Sequence, residues 1–219
     1  MGQTEFCGRT FKVDRRALIP RPETEIVAET TLKLIEKISA PRLVDIGTGS
    51  GILAITAAAA RDDATVVACD VSADALALAR ENAERHNVFQ RIDFRLGDFA
   101  DTLSHLAGSI DAVMANPPYV AETELPTLQD EVRDHEPRVA LIGGPGGTEI
   151  VERLLDFVLT LLKPGGHLIM EIGLGQAAKI RKMIAGEAGM TLLRFEEDFN
   201  RIQRVAVVRR NDECPMTKN

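Results

Sequence analysis

Leu43-Val44-Asp45-Ile46 is a short apolar run that leads directly into Gly47-Thr48-Gly49-Ser50-Gly51, and the Ala-rich stretch 51–60 follows. A strand, a glycine turn and a helix in immediate succession point to a layered fold with a parallel sheet. They also make a binding feature. Glycine has no Cβ, so a ligand can approach the backbone closely, and the helix start offers unpaired N–H groups. A dinucleotide, a nucleoside triphosphate and S-adenosylmethionine compete for such a turn. The dinucleotide pattern G-x-G-x-x-G would put glycine at position 52, which is Ile52. A P-loop needs a Lys that is absent, and the hydrolase elbow G-x-S-x-G would need glycine where Thr48 stands. What remains is D-x-G-x-G-x-G, beside the plain alternative of a tight turn that binds nothing.

Strand-like and helix-like runs alternate along the rest of the chain. Ile26, Val27, Leu34, Ile35 and Ile38 recur at helical spacing, which predicts a helix over 23–38. Strands are expected at 42–46, 65–70, 91–96, 110–115 and 167–172. Helices are expected at 73–86, 149–162 and 176–187, the first capped by Ser72. Lys163-Pro164-Gly165-Gly166 stops the helix before it. Two strand-like runs, 190–196 and 203–209, close the chain without a helix between them, which predicts an antiparallel hairpin. The polar, Pro- and Gly-rich stretch 120–147 reads as a long functional loop, with Gly143-Gly144-Pro145-Gly146-Gly147 as its flexible hinge.

Further candidates stand where strands end. Asp70 closes the second strand of the series, at the distance where a carboxylate can bind ribose hydroxyls, although a helix-cap role is the simpler reading. Asp98 and Phe99 follow the next strand; Asp98 can accept from an adenine amino group, and Phe99 either covers the ring or belongs to the core. Asn116-Pro117-Pro118-Tyr119 follows the strand at 110–115. Two prolines stiffen the backbone and remove two N–H donors. The groups left exposed are acceptors, the Asn116 side-chain oxygen and backbone carbonyls, beside the flat face of Tyr119. That set suits a planar –NH2 group held by both hydrogens, with its nitrogen free to meet a methyl donor. A rigid Asn-Pro turn is the alternative.

Composition narrows the function classes. The 219 residues suit one large domain. With 26 Lys+Arg against 33 Asp+Glu, the net charge of -7 disfavours sequence-independent nucleic-acid binding. Three cysteines without a C-x-x-C form neither a disulfide framework nor a zinc ribbon. His86, His105, His135 and His167 lack metal-ligand spacing and read as surface or loop residues. No apolar run reaches the roughly 20 residues that cross a bilayer, and the N-terminus has no secretory pattern, so no membrane association and a cytoplasmic location are expected.

Taken together, these stretches resemble the bacterial HemK-type protein-(glutamine-N5) methyltransferases, which modify peptide-chain release factors. D-x-G-x-G-x-G marks the superfamily and N-P-P-Y marks methylation of amino groups. Leu18-Ile19-Pro20-Arg21-Pro22-Glu23-Thr24-Glu25 marks the family, supported by Glu5-Phe6-x-Gly8-x-x-Phe11-x-Val13 and Glu136-Pro137-Arg138-Val139-Ala140-Leu141. The resemblance implies a class I, Rossmann-like α/β fold with a seven-stranded, mostly parallel sheet and a C-terminal antiparallel hairpin. It implies S-adenosylmethionine bound by Asp45, Gly47, Thr48, Gly49, Ser50, Gly51, Asp70, Asp98, Phe99 and Asn116. It further implies a glutamine amide held by Asn116, Pro117, Pro118 and Tyr119, with Arg21 and Glu23 near the site mouth, where surface or helix-end charges are the alternative. The expected organisation is a linker/hairpin segment at 1–22, a methyltransferase domain at 23–210 and a tail at 211–219. The expected partner is a release factor, without direct nucleic-acid contact. A ribosomal-protein glutamine, an adenine of nucleic acid, or a non-enzymatic donor-binding module are the competing readings. Two departures from the family stand out. The usual small helical domain before the E-F-x-G stretch has no counterpart in the 219 residues, and Asp198–Arg204 lacks the glycine expected in its hairpin turn.

Overall fold

A computed structural model describes residues 2–212. The apolar strand runs assemble into one seven-stranded sheet. Its strands are β3 (Arg42–Ile46), β4 (Thr65–Asp70), β5 (Ile92–Leu96), β6 (Ile110–Ala115), β9 (Leu162–Glu171), β10 (Met190–Glu197) and β11 (Gln203–Arg210). Their spatial order is β10-β11-β9-β6-β3-β4-β5. The five strands from β9 to β5 are parallel. β11 pairs antiparallel with both β9 and β10. Among the helices that cover the sheet are α1 (Thr24–Leu34), α2 (Ile52–Ala60), α3 (Ala73–Arg85), α7 (Glu149–Leu161) and α8 (Ala177–Gly186). Two apolar clusters result. One contains Val113, Leu154, Leu168 and Ile180; the other contains Val27, Ile55, Val66 and Met114. A separate hairpin, β1 (Gly2–Phe6) with β2 (Arg9–Val13), buries Phe6 and Phe11 in the second cluster.

Chain direction through the sheet fixes where a ligand can sit. From β3 the chain moves outward to β4 and β5, then returns to β6 on the other side of β3 and continues to β9. In open α/β sheets a crevice opens at this reversal, at the carboxyl ends of the strands. Ile46 pairs with Ala115 at the ends of β3 and β6, so the glycine turn and the Asn-Pro-Pro-Tyr turn emerge as neighbours.

Several expected boundaries move, each for a local reason. The helix expected over 23–38 ends at Leu34, where the Arg61 guanidinium donates to the carbonyls of Ile35, Glu36 and Ile38 and takes over the helix end. The strand expected at 167–172 begins at Leu162. Ile110 pairs with Leu162 and Ala112 with His167, so the Pro-Gly-Gly stretch forms an irregularity within the strand. The expected loop at 120–147 is folded. It contains a short parallel pair, β7 (Val120–Ala121) with β8 (Ile142–Gly144), and the short helices α5 (Asp130–His135) and α6 (Arg138–Leu141). The hairpin turn without glycine closes through Arg201 at φ 60, while Asp198 Oδ1 accepts from the N–H groups of Asn200 and Ile202. One histidine departs from the expected surface or loop setting: His167 lies within β9, whereas His86 stands in the turn that ends α3 and packs on Phe11 with ring centroids 4.7 Å apart. The tail beyond residue 212 lies outside the described residues.

Candidate active site

The glycine turn is held from beneath. Asp45 is 1% exposed; its Oδ2 accepts from Thr48 Oγ1 at 2.7 Å and from the Ala54 N–H at 3.1 Å. Burial pushes its carboxyl up to about 7. The N–H groups of Gly47 and Thr48 both donate to the Cys69 carbonyl of the adjacent strand. Gly47, Gly49 and Gly51 all have positive φ, 70, 56 and 82. Their surroundings differ. A Cβ on Gly47 would meet open space, whereas one on Gly51 would lie 2.9 Å from Ile55 Cδ1 and 3.0 Å from Ala79 Cβ. Gly47 therefore keeps a surface open, and Gly51 lets α2 start close against α3.

Asp70 extends from the end of β4. Its Oδ2 accepts from the Gly49 N–H and its Oδ1 from the Ser72 N–H, both at 2.9 Å. An ionised carboxylate has about four acceptor positions, so two remain available. Desolvation raises its pKa. Asp98 starts α4 (Phe99–Leu103), with Oδ1 accepting from the Ala100 N–H and Oδ2 paired with Arg153 at 2.9 Å. The same Arg153 guanidinium lies 5.1 Å from the centroid of the Phe99 ring. These residues meet Asn116 in one cleft of about 250 Å³, whose walls include Gly47–Ser50, Asp70, Asp98, Phe99 and Asn116–Pro118.

Asn116 has a distinctive hydrogen-bond state. Its Nδ2 donates to Thr24 Oγ1 at 3.2 Å, and Thr24 Oγ1 donates to Glu171 Oε2 at 2.6 Å. Its Oδ1 is buried without any partner. An unpaired buried acceptor is unfavourable by about 1–3 kcal/mol. The turn itself is clamped at its carbonyls. Gln176 Nε2 donates to the Tyr119 carbonyl at 2.9 Å, and a Cβ on Gly143 would lie 2.4 Å from the Pro118 oxygen. Gly143 and Gly147 are buried against this turn, so the expected flexible hinge is a packing surface instead. Desolvation, followed by the nearby Glu171 charge, pushes the Tyr119 phenol up to about 12.

Not every expected residue reaches the cleft. Asp45 and Gly51 shape the turn without lining the cleft, and Tyr119 is not among its lining residues either. Arg21 Nη2 donates to both carboxylate oxygens of the buried Glu136, at 2.8 and 3.0 Å, and so joins the Ile19–Glu25 stretch to the 136–141 stretch. Glu23 lies 3.9 Å from Arg204. Sequence reasoning missed Thr24, Arg153, Glu171 and Gln176. Glu171 carried a signal, a carboxylate closing the apolar run Leu168-Ile169-Met170, and Thr24 lies within the family-marking stretch 18–25; Arg153 and Gln176 carried none outside the fold.

Comparisons with known proteins agree with this geometry. Residues 23–133 match the family described as Methyltransferase small domain. The chain is 42% identical over 212 residues to a release factor glutamine methyltransferase of Nitratidesulfovibrio vulgaris, covering 96% of this chain and 71% of the relative. The chain belongs to the release factor glutamine methyltransferase family. A structure of a release factor-specific protein-(glutamine-N5) methyltransferase from Alicyclobacillus acidocaldarius superposes with a TM-score of 0.56 at 25% identity, covering 92% of this chain and 99% of that one. An RNA methyltransferase from Salinibacter ruber in complex with S-adenosyl-L-homocysteine shares the fold, with a TM-score of 0.57 at 18% identity, over 92% and 99% of the two chains. Among the described residues, no helix is long and apolar enough to cross a membrane, and no group of three His, Cys, Asp or Glu side chains could hold a metal ion.

Proposed function

We propose that this chain transfers a methyl group from S-adenosylmethionine to the side-chain amide nitrogen of a glutamine in a peptide-chain release factor, in the cytoplasm. The observation that carries the reading is the unpartnered Asn116 Oδ1 in a cleft that also holds the left-handed glycine turn. The residues present fit the donor. Gly47 leaves open space where a side chain would stand, Asp70 keeps free acceptor positions for ribose hydroxyls, and Asp98 with Phe99 offers an acceptor and a ring to an adenine. When bound, S-adenosylmethionine supplies a methyl carbon already activated by its sulfonium, which departs with the bonding pair as S-adenosylhomocysteine.

The chain's own residues deal with the weak nucleophile. An amide nitrogen shares its lone pair with the carbonyl, so it attacks poorly while planar. Asn116 Oδ1 accepts one amide hydrogen. The Tyr119 carbonyl is engaged by Gln176 and the Pro118 carbonyl is packed on Gly143, and a backbone carbonyl of this stiffened turn accepts the second hydrogen. Two fixed acceptors hold the nitrogen with its lone pair toward the methyl carbon, and catalysis is then positioning and preorganised polarity. As nitrogen–carbon bonding completes, the nitrogen releases one proton to solvent. Residues 23–210 form the methyltransferase domain in this reading, with 1–22 as the linker/hairpin segment leading into it.

Incubation with methyl-labelled donor and intact release factor, followed by mass spectrometry of the glutamine, tests the assignment. Asn116→Ala is expected to keep donor affinity and lose turnover. Label on an RNA adenine with none on the glutamine would overturn it.

A further inference from the structure

Asn116 can serve as an acceptor only if its carboxamide is turned the right way round, and the side chain by itself has no preference. The two ends of a carboxamide are nearly the same size, so the orientation is set by what each end meets. Here the inner end meets the Thr24 hydroxyl, which is able both to donate and to accept. The state of that hydroxyl is decided one step further in, where it donates to Glu171 Oε2 at 2.6 Å. With its only proton directed at Glu171, the Thr24 oxygen has lone pairs alone to offer Asn116, and the Nδ2 group fills that position at 3.2 Å. The Oδ1 atom is left as the free acceptor. The three groups come from α1, the turn after β6 and the end of β9, and both Thr24 and Glu171 are at most 3% exposed.

We propose that Thr24 and Glu171 are positioning residues for methyl transfer, forming a two-step hydrogen-bond relay that sets the polarity of the Asn116 carboxamide. The proposal rests on the reading of Asn116 as the amide-holding group. The relay has a defined failure state. If Glu171 takes up a proton from solvent, its carboxyl can donate to Thr24, the Thr24 hydroxyl turns its proton to Asn116, and the carboxamide rotates. Nδ2 then stands where an acceptor is needed, and the substrate amide meets N–H against N–H.

Burial, with the negative charge of Glu23 adding to it, pushes the Glu171 carboxyl up to about 7, against the Thr24 hydrogen bond and the positive charges of Arg204 and Arg21. Those groups, with the Tyr119 phenol, are the charged and titratable neighbours that face it. The relay therefore switches near neutrality and is intact on the alkaline side.

Two measurements test this independently. The first needs no turnover: the side-chain amide resonances of Asn116, assigned by their loss in Asn116→Asp, are followed by nitrogen-15 NMR from pH 5.5 to 8.5. They are expected to shift with a single midpoint near 7 in the native chain and to stay flat in Glu171→Gln, whose side chain does not titrate. Flat resonances in the native chain overturn the relay, whatever the enzyme methylates. The second is the pH profile of kcat with release factor. The native chain is expected to lose about tenfold for each pH unit below 7, and Glu171→Gln is expected to lose that acid limb. Thr24→Val is expected to lower kcat at least tenfold with donor affinity unchanged, and Thr24→Ser to restore it. An acid limb that persists in Glu171→Gln, or full kcat in Thr24→Val, overturns the proposal. Titrating resonances with an unlabelled glutamine would leave the relay standing and refute the substrate reading instead.

Discussion

Gly51→Ala separates the structural glycine of the turn from those that face the ligand. The φ of 82 at Gly51 places an alanine in left-handed backbone, which is unfavourable by about 1–2 kcal/mol. The new methyl would stand 2.9 Å from Ile55 Cδ1, 3.0 Å from Ala79 Cβ and 3.2 Å from Ala79 Cα. Ile55 can turn its terminal methyl aside, but the Ala79 contacts belong to α3 itself and yield only if the helix moves. Overpacking of that kind adds about 1–3 kcal/mol. The sum is about 3 kcal/mol, which lowers Tm by roughly 6–12 °C in a domain of this size. Gly47→Ala provides the contrast. It bears the backbone term alone, about 1–2 kcal/mol, because nothing lies within 4 Å of its Cβ position. Thermal unfolding of both variants by circular dichroism, with donor binding by calorimetry at a temperature where both are folded, measures the two effects. Gly47→Ala is expected to melt within a few degrees of the native chain and to bind donor poorly; Gly51→Ala is expected to melt much lower. If Gly51→Ala melts no lower than Gly47→Ala, the assignment of Gly51 to α2–α3 packing is wrong.

Three further outcomes follow from the same geometry. Asp45 and Glu171 both have carboxyls raised to about 7, from 3.8 and 4.5. The folded state therefore holds protons that the unfolded chain gives up, and the resulting stability is full below pH 4 and is lost as pH rises to 7. For Glu171 this amounts to on the order of 3 kcal/mol; urea unfolding at pH 5 and pH 8 is expected to show the decline, reduced in Glu171→Gln. Gly143→Ala drives a methyl to within 2.4 Å of the Pro118 carbonyl and is expected to cut kcat at least tenfold while donor affinity, measured by calorimetry, changes little. Arg21→Ala leaves Glu136 buried without its guanidinium partner, and limited proteolysis is expected to cut within 120–147 faster than in the native chain.

The glycine-turn side of the cleft was readable because its determinants are local. Asp45 to Gly51 lie within seven consecutive residues, Asp70 ends β4, and Asp98 follows the end of β5 at Leu96 and caps α4. Asn116–Tyr119 was readable for the same reason, since the chemistry of two prolines and an amide needs no distant partner to suggest an acceptor site. What escaped was everything that holds this turn in place. Thr24 is 92 residues from Asn116 and 147 from Glu171, and Gln176 is 57 residues from Tyr119; no spacing rule reaches that far. The 120–147 segment was misread for a different reason. Its polar and glycine-rich composition resembles a mobile loop, yet Gly143 and Gly147 lack side chains because the Pro118 and Tyr119 carbonyls occupy that space. Composition reports the absence of a side chain without revealing what stands in its place.

The spacing of these groups also orders events on the ribosome. The turn that would receive the methyl donor and its flanking carboxylates is encoded before residue 99. The amide clamp is incomplete until the end of β9 emerges some seventy residues later and Glu171 reaches Thr24. A nascent chain thus translates its donor side first and acquires a correctly turned Asn116 only when nearly the whole sheet has been made.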